Sequence, residues 1–372
     1  MNHSSRMSRG AALLTTATLV AAGAGTAAAS AAPAAGRPAA QGANLRQLLG
    51  RSPFSAASVV AGASSGSLTV SWSAPHLFGG VAVFAGSSST DQSHFLGFGS
   101  GDGTLTVTTK YGDWVRLVPT LGAPLVLTVR DLGLASDPNL RDVGGYRTTD
   151  GQWVRMGVVY RSQALSLSSA DLSVVNTLGI TADYDLRTTA EIAQAPDVVP
   201  ASATYTNLNV LADVSLTPTL TSPAAAEQYM QEMEQDFVTD STARAAFGAL
   251  LTGIADSDGA VLYHCTAGKD RTGWATAVLL TLLGVPQDTV TQDYLLSNTY
   301  YFDSPAVQAL LKEMPAAEAA VYTPVLEVQA SYLQAGLAQV TASYGSMYNY
   351  AVHGLGLSPQ TIAKLRAKLL VG

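Results

Sequence analysis

The sequence predicts an α/β domain, a central sheet flanked by helices, preceded by a small all-β sandwich domain. Three observations predict it. Between residues 51 and 131, short apolar–polar alternations are separated by Gly, Ser and Asp clusters. From about residue 132, strand-like runs alternate with helical stretches. Hydrophobic residues make up 47% of the 372, enough for a sizeable core, which excludes wholesale disorder.

The chain begins with the pattern of an export signal. Arg6 and Arg9 precede an Ala/Gly-rich apolar stretch that holds Leu13, Leu14, Leu19 and Val20. Ala29-Ser30-Ala31 fits the small-residue cleavage rule, so residues 1–31 are expected to be removed and the protein secreted. Residues 32–50, rich in Ala, Gly and Pro, read as a flexible lead. No later segment offers a long uncharged apolar stretch, so no integral membrane segment is expected after removal of the signal. Cleavage would take the formal charge from −7 to −9, because only two arginines and no acid are lost. Such a chain is not expected to bind nucleic acid or an anionic membrane through bulk charge. Attraction for an anion must therefore be local.

In the β part, Leu68 to Trp72, Val81 to Phe84, Leu105 to Thr108, Trp114 to Val118 and Leu125 to Val129 alternate as strands. Their number and spacing suggest a sandwich over residues 51–131. The order, with Trp72 on an early strand, resembles a fibronectin type III module, which implies a surface or a protein as its partner. His76 and His94 lack metal-ligand spacing and read as surface or turn residues.

Residues 132–372 form the second domain. Ser168 to Leu178 reads as a capped helix, Ile180 to Leu186 as a buried strand and Tyr205 to Leu211 as another. Residues 224–237 and 241–255 read as helices, started by Pro223 and Asp240. Ala260 to His264 is a short apolar strand. Thr272 to Leu283 is a nearly all-apolar helix ended by Gly284 and Pro286, and Ser358-Pro359 opens a final helix.

One cysteine is present, so no internal disulfide can form. Cys265 stands between the strand ending at His264 and the helix opening near Arg271. The backbone amides of Thr266, Ala267, Gly268, Lys269, Asp270 and Arg271 can curl around one point, with Gly268 permitting the tight turn. A nest of amides at a helix N-terminus binds an oxyanion such as phosphate and favours a thiolate. Arg271, six residues after Cys265, can hold two phosphoryl oxygens bidentately. Thr272 can donate a hydroxyl hydrogen bond to the sulfur. His264 orders the loop through backbone hydrogen bonding. A nucleotide P-loop is disfavoured, since neither Ser nor Thr follows Lys269 and the leading Gly spacing is absent. A cysteine-protease dyad is disfavoured too, because adjacent strand residues point to opposite faces. The set predicts a cysteine nucleophile, with Cys265, Arg271 and Thr272 in catalysis.

His264-Cys265, five residues and Arg271-Thr272-Gly273 resemble the signature of cysteine-dependent protein tyrosine phosphatases. The segments Asn139 to Tyr146, Tyr160-Arg161-Ser162, Asp185-Leu186-Arg187 and Asp293 to Asn298 extend the resemblance over residues 137–372. They are similar to the bacterial type of which the secreted mycobacterial tyrosine phosphatase B is an example. The resemblance implies an α/β phosphatase fold and hydrolysis of phosphomonoesters through a cysteinyl-phosphate, with no metal and no cofactor. It also implies substrates among phosphotyrosine proteins and, because Lys269 and Asp270 are kept, phosphoinositides. Lys269 would add a point charge beside the phosphate, or else merely offset local charge or face solvent.

A general acid must protonate the leaving oxygen. Asp213, after the strand ending near Leu211, is the first candidate and Asp270 the second. Asp185 is expected to be structural, and Asp256 and Asp258 to be solvated in a turn. Arg141, Asp142, Arg161 and Arg187 are expected to form a buried, paired network. Residues 214–240 offer a cover over the pocket, in which Met230, Met233 and Phe237 equally fit plain core. The competing class is a phosphate-recognising pseudoenzyme or binding module, against which the intact Cys265, Arg271 and Thr272 argue.

Overall fold

A computed structural model describes residues 50–212 and 220–372. The expected signal peptide, residues 32–49 of the lead and Asp213 lie outside the described residues. The first seven strands are β1 (Ala56–Ala61), β2 (Ser67–Ser73), β3 (Val81–Gly86), β4 (His94–Gly99), β5 (Asp102–Thr108), β6 (Trp114–Pro119) and β7 (Leu125–Leu127). They form two antiparallel sheets of order β1-β2-β5 and β4-β3-β6-β7. Inward positions of both sheets, among them Val70, Trp72, Val83, Val115 and Leu117, fill one shared core. Strands β1 and β4 escape pattern reading for a physical reason. The first is Ala-rich, and the second exposes Phe95 and Phe98 and carries Gly97 and Gly99, so neither shows an apolar–polar alternation.

The next strands are β8 (Arg141–Asp142), β9 (Trp153–Val154), β10 (Val159–Ser162), β11 (Ile180–Asp185), β12 (Thr204–Asn207), β13 (Ala260–His264) and β14 (Leu370–Val371). Five of them make the central sheet, β12-β11-β13-β10-β8, parallel except for the edge strand β8. All five residues of β13 are buried, as a strand covered on both faces requires. Its side chains alternate between two cores: Val261 and Tyr263 enter the larger, Ala260 and Leu262 the smaller. Strand β12 stops at Asn207, short of the expected Leu211. There the Asn207 amide donates to the carbonyls of Asp185 and Arg187, beside the backbone bonds from Leu208 N to Asp185 O and from Val210 N to Leu186 O.

The helices are α1 (Ser169–Val175), α2 (Thr189–Gln194), α3 (Pro223–Thr239), α4 (Ser241–Asp256), α5 (Arg271–Leu283), α6 (Gln287–Ser297), α7 (Pro305–Glu313), α8 (Ala316–Leu326), α9 (Ala330–Tyr344) and, after two short turns, α10 (Pro359–Leu369). A π-turn, Asn298–Phe302, follows α6. Among the described residues no helix is long and apolar enough to cross a membrane.

The described residues belong to one compact unit. Trp153 and Met156, from beyond the expected boundary at residue 131, complete the core of the two antiparallel sheets. Strand β14 pairs with β9 at the same junction, and Arg147 Nε donates to Phe54 O at 3.0 Å.

Candidate active site

Strand β13 lies between β10 and β11, so the chain order reverses across it. The carboxyl end of a parallel sheet at such a reversal is where α/β folds bind ligands. Cys265 follows β13 at that point, and α5 begins six residues later.

The loop's shape is set from outside. Three successive carbonyls are tied outward: Thr266 O accepts from Ala164 N (3.1 Å), Ala267 O from Asn139 Nδ2 (2.8 Å) and Gly268 O from Arg161 Nη2 (2.7 Å). In a trans peptide the N–H points opposite to the C=O. The amides of Ala267, Gly268 and Lys269 therefore point away from those partners, toward the inside of the loop. Gly268 has φ +70°, and a Cβ there would lie 2.4 Å from Ser162 O, so the position needs glycine.

Those outer partners are themselves clamped. Arg161 Nη1 bonds Asp293 Oδ2 at 3.0 Å, and Tyr146 donates to Asp293 Oδ1 at 2.8 Å. Arg141 Nη1 bonds Asn139 Oδ1 at 2.5 Å. Arg141, Asp142, Arg161 and Arg187 are all buried, and each is bonded, as the sequence led us to expect.

Arg271 is nearly buried and makes a bidentate pair with Glu191, Nη1–Oε2 at 2.8 Å and Nη2–Oε1 at 2.6 Å. It also donates to Leu186 O and to Thr266 Oγ1. Burial works against its charge, but Cys265 and Glu191 beside it hold it as the cation. For Glu191, burial raises the carboxyl, yet the Arg271 hydrogen bonds prevail and draw it down to about 2. Sequence reasoning missed Glu191. The signal was present: Thr188 and Glu191 have capping-box spacing, and both reciprocal bonds exist at the start of α2. That cap fixes Glu191 where Arg271 meets it.

Cys265 is buried at 2% exposure and faces the larger core. Thr272 is buried at the start of α5, and its hydroxyl has no hydrogen-bond partner, so no bond joins it to the sulfur in this state. Lys269 is only 3% exposed and pairs with Asp270 Oδ1 at 2.8 Å, which overturns the alternative that it faces solvent and agrees with the one that it offsets local charge. His264 points to the opposite face from Cys265. Its Nδ1 reaches Cys265 O at 3.4 Å, and Asp183, Asp185 and Asp197 lie 3.5–3.8 Å from its ring nitrogens. Burial lifts Asp183 to about 6, although His264 opposes this. Asp185, Asp197 and His264 are a donor set of the kind that holds metals, but Arg187 pairs with both carboxylates and supplies the cation. Asp185 is thus structural, as expected. Asp256 is exposed and pairs with Lys364 at the surface.

At the end of the loop, against Asp270 and Arg271, is a cavity of about 350 Å³. Asp270, Arg271 and Glu191 form its polar side, and Leu211, Leu220, Met230, Met233, Tyr322 and Val325 its apolar walls. Met230 and Met233 therefore line the cavity, while Phe237, on the same helix α3, is core. The structure thus gathers Cys265, the amide loop, Arg271, Thr272, Lys269 and Asp270. It leaves Asp213 outside the described residues.

A β-strand, a Cys-loop and a helix opened by an arginine form an anion-binding arrangement of the kind expected in a phosphatase. A model of the tyrosine phosphatase family matches residues 132–371, and the chain belongs to that family. A tyrosine-protein phosphatase by name from Cupriavidus necator is 36% identical over 265 residues, covering 67% of this chain and 93% of that protein. The triple specificity protein phosphatase PtpB of Mycobacterium tuberculosis is 32% identical over 275 residues, 62% of this chain and 96% of its own. A tyrosine-protein phosphatase of Nostoc commune is 30% identical over 215 residues, 55% of this chain and 70% of its own.

Proposed function

We propose that this enzyme is an exported phosphatase that hydrolyses phosphotyrosine through a cysteinyl-phosphate. The observation that carries the reading is the set of three loop carbonyls tied outward beside Cys265, with the Arg271 cation closing the ring. The Cys265 thiolate attacks phosphorus and the bond to the leaving oxygen breaks. Loop amides and Arg271 hold the three non-bridging oxygens as charge develops on them. An aspartate gives its proton to the leaving oxygen; Asp213 and Asp270 are the two candidates, and Asp270 lines the cavity. Water then attacks phosphorus and releases phosphate, and the sulfur departs as thiolate, to which the unpartnered Thr272 hydroxyl can donate.

The apolar walls favour an aromatic ring above the phosphate. A phosphoinositide headgroup carries several phosphates, and Lys269, which would meet a second one, is buried and committed to Asp270. The sandwich fits a fibronectin type III-like module that meets a surface or protein partner. Cys265→Ser tests the mechanism: hydrolysis of p-nitrophenyl phosphate should disappear while the fold stays, and residual turnover at the wild-type rate would refute it. Rates on a phosphotyrosine peptide should exceed those on soluble phosphoinositides; the reverse order would return the substrate to lipid. Recovery of the chain from the medium with Ala32 as its first residue tests export.

A further inference from the structure

Asp293 is the shared counter-ion of two buried arginines. Its Oδ2 bonds Arg161 Nη1 at 3.0 Å, while Arg141 Nε stands 4.0 Å from Oδ1 and has no hydrogen-bond partner. A buried unpaired N–H is costly, so Arg141 Nε competes for this carboxylate. If Asp293 turned toward Arg141, Arg161 would lose the bond that aims Nη2 at Gly268 O. The hydroxyl of Tyr146, donating to Asp293 Oδ1 at 2.8 Å, opposes that turn.

Tyr146 is in turn fixed by Arg130, whose guanidinium carbon stands 3.8 Å from the ring centroid. Arg130 lies three residues beyond β7, in the segment that leaves the two antiparallel sheets. Its backbone carbonyl accepts from Asp142 N at 3.1 Å, and its Nη1 donates to Asp142 O at 3.2 Å. Gly145 makes room for it: a Cβ there would meet Arg130 Nη2 at 3.2 Å and Met156 Sδ at 3.0 Å.

We propose that Arg130 is a positioning residue for the Cys265 loop, acting through Tyr146, Asp293 and Arg161 on the Gly268 carbonyl. The N-terminal sandwich is then more than an appended module. The segment it anchors holds a side chain on which the aim of a loop amide depends. The proposal rests on the phosphatase reading. Arg130 touches no reacting atom. Its removal lets Tyr146 tilt, frees Asp293 to move toward Arg141, and loosens the Gly268 peptide whose amide side faces the anion.

The test compares Arg130→Ala, Arg130→Lys, Tyr146→Phe and the Arg130→Ala/Tyr146→Phe double variant in the full chain. The readings are kcat and KM on p-nitrophenyl phosphate, the inhibition constant of orthovanadate, and the thermal midpoint. Each single truncation should lower kcat about 10-fold, equivalent to ~1.4 kcal/mol of transition-state stabilisation. Orthovanadate, held by the same amides, should weaken in parallel, with KM changed by less than about threefold. The double variant should lose no more than the worse single, because the two residues act in series. Arg130→Lys, which keeps the cation over the ring, should recover most of kcat. Wild-type kcat and orthovanadate inhibition in folded Arg130→Ala and Tyr146→Phe would overturn the proposal, even with a lowered midpoint. Additive losses in the double variant would overturn it as well. Should Arg130→Ala fail to fold, Tyr146→Phe and Arg130→Lys decide alone. A wild type that does not turn over p-nitrophenyl phosphate yet binds orthovanadate would refute the phosphatase reading, and the orthovanadate series would still decide this one.

Discussion

Glu191→Gln is the substitution that most directly probes how Arg271 is held. In the wild type both carboxylate oxygens face the guanidinium at 2.6 and 2.8 Å. Glutamine keeps the shape and one acceptor, but turns an NH₂ toward an N–H donor. One charge-assisted bond is lost, a contribution of ~1.5–3 kcal/mol. Removing one partner of a fully buried ion pair costs more, but the Glu191 side chain is 26% exposed, so screening places the loss near ~2 kcal/mol. For a chain of this size that lowers the thermal midpoint by about 3 °C. The loss of activity should be larger than the loss of stability suggests. Arg271 stays in place but is no longer aimed, and misplacement of a catalytic group by about 1 Å costs on the order of 100-fold. We expect kcat on p-nitrophenyl phosphate to fall about 10- to 100-fold. The acid limb should change too. The Glu191 carboxyl is depressed from 4.5 to about 2, so its contribution to stability is complete above pH 4.5 and is lost as pH falls toward 2. Circular-dichroism melts across that window should show this loss in the wild type and not in the glutamine variant. A folded Glu191→Gln enzyme with kcat within about twofold of wild type would refute the view that this pair orients Arg271.

Asp137 gives the opposite pH dependence. Burial outweighs its bonds from Ser162 and the backbone and lifts its carboxyl to about 8, so its contribution is complete below pH 4 and is lost as pH rises toward 8. Asp137→Asn should therefore remove a downward slope of stability between pH 4 and 8, with a gain of ~1–3 kcal/mol at pH 8; a slope unchanged in urea titrations would refute this. Asp213→Asn and Asp270→Asn separate the two proton donors. The true donor's variant should lose far more kcat on a phosphotyrosine peptide than on a substrate whose leaving group needs no protonation, and equal losses on both would exclude that residue.

The Cys265 loop was legible because a cysteine, a glycine and an arginine at fixed spacing lie between an apolar strand and an apolar helix. All of that is local in sequence. What holds the loop was not legible as such. Asn139 and Arg161 are more than 100 residues from the carbonyls they hold, and only the register of β10 beside β13 brings Arg161 there. Glu191 was visible only as a helix cap, since nothing in the chain shows that the cap's carboxylate faces Arg271 across about 80 residues. The two missed strands have another cause. Pattern reading looks for buried alternation, and β1 and β4 turn Val60, Phe95 and Phe98 outward. The junction was equally hidden. Trp153 and Met156 read as ordinary members of the second domain, but they fill the core of the first.

The charges around the loop explain how an acidic chain can attract phosphate. Formal charge is −7, so long-range steering works against an anion. Close to the loop, Lys269 is balanced by Asp270 and Arg271 by Glu191. Arg141 and Arg161 share a single aspartate, Asp293, which leaves one uncompensated positive charge beneath the Gly268 peptide. That charge is buried, so salt screens it poorly. Together with the convergent amides and the N-terminus of α5, it makes the attraction directional rather than general. Asp293 is thus the point where two requirements meet. It must be close enough to Arg161 to aim the loop, yet it is too few in charge to neutralise both arginines. A second carboxylate there would strengthen the clamp and cancel the field that would attract a phosphate.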